Sequence, residues 1–163
     1  MAEIWDLLDK DGRKIGVKWT RGSGEKIPDG CYHPCAEVWF KVGDKILLTQ
    51  RHPDKHEGLK FDVPGGAVVS GEEILEGAVR ELHEEVGIRI DADRLSLLGV
   101  CTIESVYVAS YLLRLDTPPS ITLQPSEVIG YRLVTREELL EMLDELTKYT
   151  RRRFLSYSDK IFK

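Results

Sequence analysis

At 163 residues, the chain has the length of one domain with a sizeable apolar core. Its 28 acidic against 23 basic side chains give a net charge of −5, which argues against nonspecific affinity for nucleic acid or an anionic membrane surface. No apolar run approaches the ~20 residues of a membrane-spanning helix, and the acidic, amphipathic opening stretch has no signal-peptide pattern, so a cytoplasmic location is expected.

Glu3–Leu8 and Lys14–Thr20 flank Asp9-Lys10-Asp11-Gly12, which predicts a hairpin closed by an Asp-Gly turn. Arg21–Gly30, rich in Gly, Pro and charge, reads as a loop. Cys31, His33 and Cys35 alternate without a matching second pair of ligands, so zinc is not expected, and the odd cysteine count including Cys101 points to reduced thiols. Ala36–Val42 and Lys45–Gln50 around Gly43-Asp44 predict a second hairpin. His52–Lys60 is a polar loop, and Phe61–Val63 and Ala67–Val69 are short strands around Pro64-Gly65-Gly66. Trp5, Trp19, Tyr32 and Trp39 fall on strands, where aromatics usually fill a core.

Residues 73–86 form the clearest helix. Leu75, Val79, Leu82 and Val86 make one apolar stripe, with Glu81 and Glu85 expected to project from the other side and Gly87 to stop the helix. Leu95–Thr102 and Val106–Leu115 are further strands, Thr117–Ser126 is a proline-containing loop, and Ile129–Val134 is another strand. Thr135 and Glu138 form a capping box that opens a helix through about Leu146. Thr150–Lys163 is a basic terminal helix whose Arg151-Arg152-Arg153 run reads as a solvated face. Strands with interspersed helices predict an α/β (α+β) fold.

The chemistry concentrates in the helix at 73–86. Glu81, Glu84 and Glu85 fall at i, i+3 and i+4 with no Lys among them. Like charges so placed repel by roughly 0.2–0.5 kcal/mol per pair. A bound hard cation removes that cost, because Mg²⁺ and Mn²⁺ take carboxylate and phosphate oxygens. Before the helix, Pro64-Gly65-Gly66 lets the backbone approach a ligand closely.

Residues 66–88, GAVVSGEEILEGAVRELHEEVGI, also resemble the Nudix box, G-x5-E-x7-R-E-U-x-E-E-x-G-U with U apolar, at every position. The match is carried by Gly66, Glu72, Arg80, Glu81, Leu82, Glu84, Glu85, Gly87 and Ile88, and the surrounding element pattern extends the likeness over most of the chain. The resemblance implies an α/β/α sandwich with a mixed central sheet, a single domain over 1–163 with an N-terminal hairpin extension at about 1–30. It implies a pyrophosphatase that cleaves a phosphoanhydride in a nucleoside diphosphate linked to a group X. Glu81 and Glu85 would bind Mg²⁺ or Mn²⁺, Glu84 would add a ligand directly or through water, and the Gly65 carbonyl would be another. Gly66 would face substrate, and a Glu72–Arg80 ion pair would orient the carboxylates. The general base would be Glu81 or a later glutamate; of these Glu127 is the functional candidate and Glu104 reads as a solvated loop carboxylate. Arg51 reads either as a phosphate-binding side chain or as a strand-end surface charge, whereas His33, His52, His56 and His83 read as surface or core histidines.

Residues 3–16 and the following Tyr32-His33 pair are also similar to the start of isopentenyl-diphosphate isomerase relatives in the same superfamily. That isomerase carries Cys and His where this chain has Val63-Pro64-Gly65-Gly66, which favours hydrolase over isomerase. A non-catalytic nucleotide-binding module is the other alternative, disfavoured because every box carboxylate is retained. Markers for ADP-ribose, NADH and coenzyme A substrates are absent or partial, so group X stays open. The hairpin and its tryptophans suit either a homodimer interface or a cap on the chain's own sheet.

Overall fold

The computed structural model describes residues 1–163. In chain order the elements are β1 (Ile4–Leu8), β2 (Lys14–Thr20), β3 (His33–Val42), β4 (Lys45–Arg51), β5 (Phe61–Asp62), β6 (Gly65–Ala67), α1 (Ile74–Val86), β7 (Ser96–Ile103), β8 (Val106–Leu115), β9 (Val128–Val134), α2 (Arg136–Glu141) and α3 (Lys148–Ile161). Single 3₁₀ turns lie at Ala92–Arg94 and Leu143–Glu145.

β1 and β2 form the expected hairpin as a separate two-stranded sheet. The main sheet has the order β5-β4-β3-β8-β7, with β6 added on β3 and β9 on β4. It is mixed because β3 runs parallel to β8, from His33 opposite Val106 to Val42 opposite Leu115, while the other pairs are antiparallel. The second hairpin pairs only beside its turn, at Lys41–Ile46 and Val42–Lys45. Beyond that point β4 leaves β3 and pairs with β9 along Ile46–Arg51. β6 takes the vacated edge, with Cys35 opposite Ala67, Ala36 opposite Gly66 and Glu37 opposite Gly65. This ladder moves the strand expected at Ala67–Val69 back onto the glycines and begins β3 three residues before Ala36.

Alternation along β3 and β4 divides the interior into two cores. Val38, Phe40 and Leu47 face α1 and pack with Ala78, Leu82 and Val86. Trp39, Ile46 and Leu48 face the opposite way, against Leu139, Phe154 and Ile161 of the C-terminal helices and Leu146 between them. The result is the expected helix–sheet–helix sandwich. The α1 stripe is rotated from its expected position: Ala78, Leu82 and Val86 are buried, whereas Leu75 and Val79 are only half-buried. Ala78 and the close packing of Gly77 on Val68 bring the helix onto the sheet along a row that large side chains would hold off.

The C-terminal region also departs from the sequence reading. The helix capped by Thr135 ends at Glu141 and gives way to the 3₁₀ turn, because Leu146 must reach Phe61 in an isolated bridge. Thr147 then caps α3, donating its amide to the Phe61 carbonyl at 2.9 Å and accepting the Thr150 amide at 3.3 Å. Trp39 lies in the core, fully buried beside Phe154 at a ring separation of 6.3 Å. Trp5 is also buried, and its ring stacks on His33 at 4.1 Å.

Phe154 is fully buried in the larger core. Phe154→Ala is expected to destabilise the fold by about 3–5 kcal/mol, read as a lower urea midpoint. Burial under Trp5 pushes the His33 imidazole down to about 4. The unfolded chain, with His near 6.5, takes up a proton that the folded chain refuses until about pH 4, so stability falls as pH drops through that window, by roughly 3 kcal/mol at most. His33→Gln should flatten that part of the stability–pH curve.

Candidate active site

α1 starts and stops on local signals. Glu73 and Glu76 form a reciprocal cap at its N-terminus, and Gly87 ends it with φ 75°, a left-handed conformation that favours glycine. The loop before β9 then closes the C-terminus, as the amides of Thr122 and Gln124 donate to the carbonyls of Val86 and Glu85. Because Ala78, Leu82 and Val86 face the sheet, the neighbouring row of Gly77, Glu81 and Glu85 runs along β6. Glu81 and Glu85 therefore do not project away from the packed face as the sequence reading expects. The Gly65 amide donates to Glu85 Oε2 at 3.2 Å. A Cβ on Gly66 would lie 2.6 Å from the Glu81 carboxyl carbon, so that carboxylate occupies the space the glycine leaves.

Burial dominates the electrostatics of this pair. It raises the Glu81 carboxyl against the pull of Arg80. It pushes Glu85 up to about 8, helped by the charges of Glu81 and Asp62 and opposed by the Gly65 amide and Lys55. Arg80 is the organising cation. Its Nε and Nη2 grip Glu72 at 2.6 and 3.1 Å, its Nη2 also donates to the Ala67 carbonyl at 2.9 Å, and its Nη1 reaches Glu81 at 2.8 Å and Glu84 at 3.1 Å. The Glu72 carboxylate in turn accepts the Val69 amide at 3.1 Å. The planar guanidinium fork thus ties the loop before α1, strand β6 and the helix together.

The donor set fits a hard divalent cation. Glu81 offers oxygens poised over glycine backbone, and the half-buried Glu85 has no ion-pair partner of its own. No three Asp, Glu, His or Cys side chains gather closely enough to cage an ion alone. Mg²⁺ characteristically uses one or two carboxylates and completes its shell with water and substrate phosphate. Glu84 is turned outward, 44% exposed and held by Arg80, and stands apart from the half-buried pair. Cys31, Cys35 and Cys101 are free thiols, with Cys35 3.7 Å from His33 Nδ1.

Gly65 and Gly66 also line a cavity of about 250 Å³. Its lining includes Arg51, Asp62, Glu37, Arg153, Glu104 and Tyr149. Arg51 donates to Asp62 at 3.1 Å and to the His56 carbonyl at 2.9 Å. Glu104 accepts the Tyr149 hydroxyl at 3.0 Å and holds φ 53°, an uncommon left-handed conformation for a glutamate. Glu127 is not a lining residue; it is ion-paired with Lys55, whose charge also acts on Glu85.

A model of the NUDIX domain matches residues 32–156. An uncharacterised Nudix hydrolase of Listeria monocytogenes is 32% identical over 84% of this chain and 82% of its own length. The chain belongs to the Nudix family of pyrophosphohydrolases. Nudix hydrolase 3 of Arabidopsis thaliana is 31% identical over 88% of this chain, which spans only 20% of that protein. In fold, the Nudix chain is similar to DR0079 from Deinococcus radiodurans, with a TM-score of 0.77, 24% identity, and 95% and 99% of the two chains covered.

Within the Nudix box, Glu72, Arg80, Glu81 and Glu85 come together with Gly65 and Gly66, while Arg51 and Glu127 lie next to each other where β4 meets β9, the His52 amide donating to the Glu127 carbonyl at 3.0 Å. Sequence reasoning missed the cavity's polar floor. Arg153 is buried, not solvated, and clasps the buried Glu37 through Nε and Nη2, both at 2.6 Å. Glu37 also accepts Trp39 Nε1 at 2.9 Å and Ser110 Oγ at 2.6 Å. Asp62, which accepts from Arg51, Thr150 and the Val63 amide, had no motif to mark it. The one available signal was a lone glutamate inside the apolar run of β3.

Gly66→Ala is expected to displace the Glu81 carboxylate and lower kcat/KM about 10–100-fold, the scale of a disturbed ligand-orienting contact. The atom it meets ends a flexible side chain, so the thermal midpoint should change little.

Proposed function

We propose that this chain hydrolyses a phosphoanhydride bond in a nucleoside diphosphate linked to a group X, using Mg²⁺ or Mn²⁺. The observation that carries the reading is the half-buried Glu81–Glu85 pair beside the glycine backbone, with Glu85 lacking an ion-pair partner. These two carboxylates would hold the metal, with the Gly65 carbonyl as a further donor and Glu84 acting at the rim. When bound, the ion neutralises charge developing on the phosphate oxygens and makes water a stronger nucleophile.

The remaining roles follow from the chain's own side chains. Arg80, gripped by Glu72, holds the Glu81 oxygen at a defined position. Glu127, ion-paired to Lys55 near Glu85, is the candidate to accept the proton of the attacking water. Arg51 has two of its nitrogens engaged and presents the rest of its fork to the cavity, where a phosphate would sit. Group X would occupy the cavity, whose size and hydrogen-bonding walls suit a compact polar moiety.

A panel of nucleoside diphosphate sugars, dinucleotides, nucleoside triphosphates and coenzyme A, tested with Mg²⁺ and again with EDTA, checks the reading. Metal-dependent product is expected from at least one member, and Glu85→Gln should lower kcat on it by about two or more orders of magnitude with the circular-dichroism spectrum unchanged. Turnover that survives EDTA, or an active Glu85→Gln variant, would refute it. An allylic product from isopentenyl diphosphate would instead point to isomerisation.

A further inference from the structure

The β1–β2 hairpin lies outside the stretch matched by the family model, yet it is bonded directly to the loop that opens the Nudix helix. Asp6 is the centre of this contact. Its Oδ1 accepts the Ser70 hydroxyl at 2.8 Å and its Oδ2 accepts the Gly71 amide at 2.9 Å. The Ser70 amide donates to the Ile4 carbonyl at 2.7 Å, which continues the edge of β1. From β2, Lys18 donates to the Ser70 hydroxyl at 2.7 Å, and Lys14 reaches the Glu72 carbonyl at 3.2 Å and the Glu73 carboxylate at 3.1 Å. Both lysines also lie within 4 Å of Asp6, at 3.9 and 3.8 Å.

Every residue of the loop from Ser70 to Glu73 is therefore hydrogen-bonded to the hairpin. Glu72, in the middle of it, grips Arg80, and Arg80 holds the Glu81 oxygen. Within the loop, the Glu72 amide donates to the Val69 carbonyl at 3.1 Å, while Gly71 at the tip, at φ 91°, is held by the Asp6 carboxylate. We propose that Asp6 is a positioning residue, and that the hairpin braces Ser70–Glu73 so that Glu72 and Arg80 hold Glu81 ready for the divalent ion. Asp6 touches neither metal nor substrate and acts through Ser70, Gly71, Glu72 and Arg80 in turn. The inference rests on the metal-site reading above.

The test uses the full chain. Amide hydrogen exchange is measured on metal-free protein, and Mn²⁺ affinity is measured from the free-ion electron paramagnetic resonance signal, for wild type, Asp6→Ala and Asp6→Asn. Asp6→Ala is expected to speed exchange selectively at Gly71–Glu73 and to weaken Mn²⁺ binding about 10-fold. Asp6→Asn keeps an acceptor for the Gly71 amide and should recover most of both effects. Wild-type exchange and Mn²⁺ affinity in Asp6→Ala would overturn the brace while leaving the metal site standing. Equal acceleration at all amides would also overturn it, because Asp6 would then serve global stability alone. Failure of the wild type to bind Mn²⁺ would sink the metal-site reading itself, and the brace with it.

Discussion

Two carboxylates that share a helix row are pressed against the backbone of a glycine strand, and the rest of the site exists to make that tolerable. Glu81 fills the volume that a side chain on Gly66 would take, and Glu85 hangs from the Gly65 amide. Desolvating two neighbouring acids opposes folding, as their raised proton affinities record. Arg80 offsets this for Glu81 alone; Glu85 has only the Gly65 amide and the more distant Lys55. A site left short of positive charge in this way has the donor chemistry that suits a hard divalent ion.

The sheet is built to allow the contact. β3 keeps β4 for two residue pairs and then releases it, and the freed edge accepts β6. β4 turns instead to β9, which places Arg51 and the loop carrying Glu127 on the far side of the opening. The carboxylates and the cavity thus share the Gly65–Gly66 segment as a common wall. Beneath the cavity, Glu37 and Arg153 join β3 to α3 across the larger core's edge. A buried pair of this kind adds little net stability over an apolar equivalent, but either member alone would be an uncompensated buried charge. The pair ties β3 to α3, the helix that also contributes Tyr149 to the cavity lining.

Much of this was legible residue by residue. The Asp-Gly turn placed the first hairpin, the Thr135–Glu138 box placed a helix start, and the Nudix box brought Glu72, Arg80, Glu81 and Glu85 to notice as a set. The errors have two causes. The α1 stripe was read from large apolar residues, but close packing on Val68 used Gly77 and Ala78, which a hydrophobicity pattern undervalues. Arg153 looked like its solvated neighbours Arg151 and Arg152 because the residue that buries it, Glu37, lies 116 positions away.

Local chemistry encoded in consecutive residues, such as caps, turns and the spacing of carboxylates on one helix, depends on neighbours within a few positions, and the sequence alone determined it. The tertiary structure decided which side of that helix meets the sheet, which strand takes the edge of β3, and which distant side chains pair. Those outcomes depend on packing volumes and on burying charges in pairs, and both are properties of surfaces that exist only once the chain has folded.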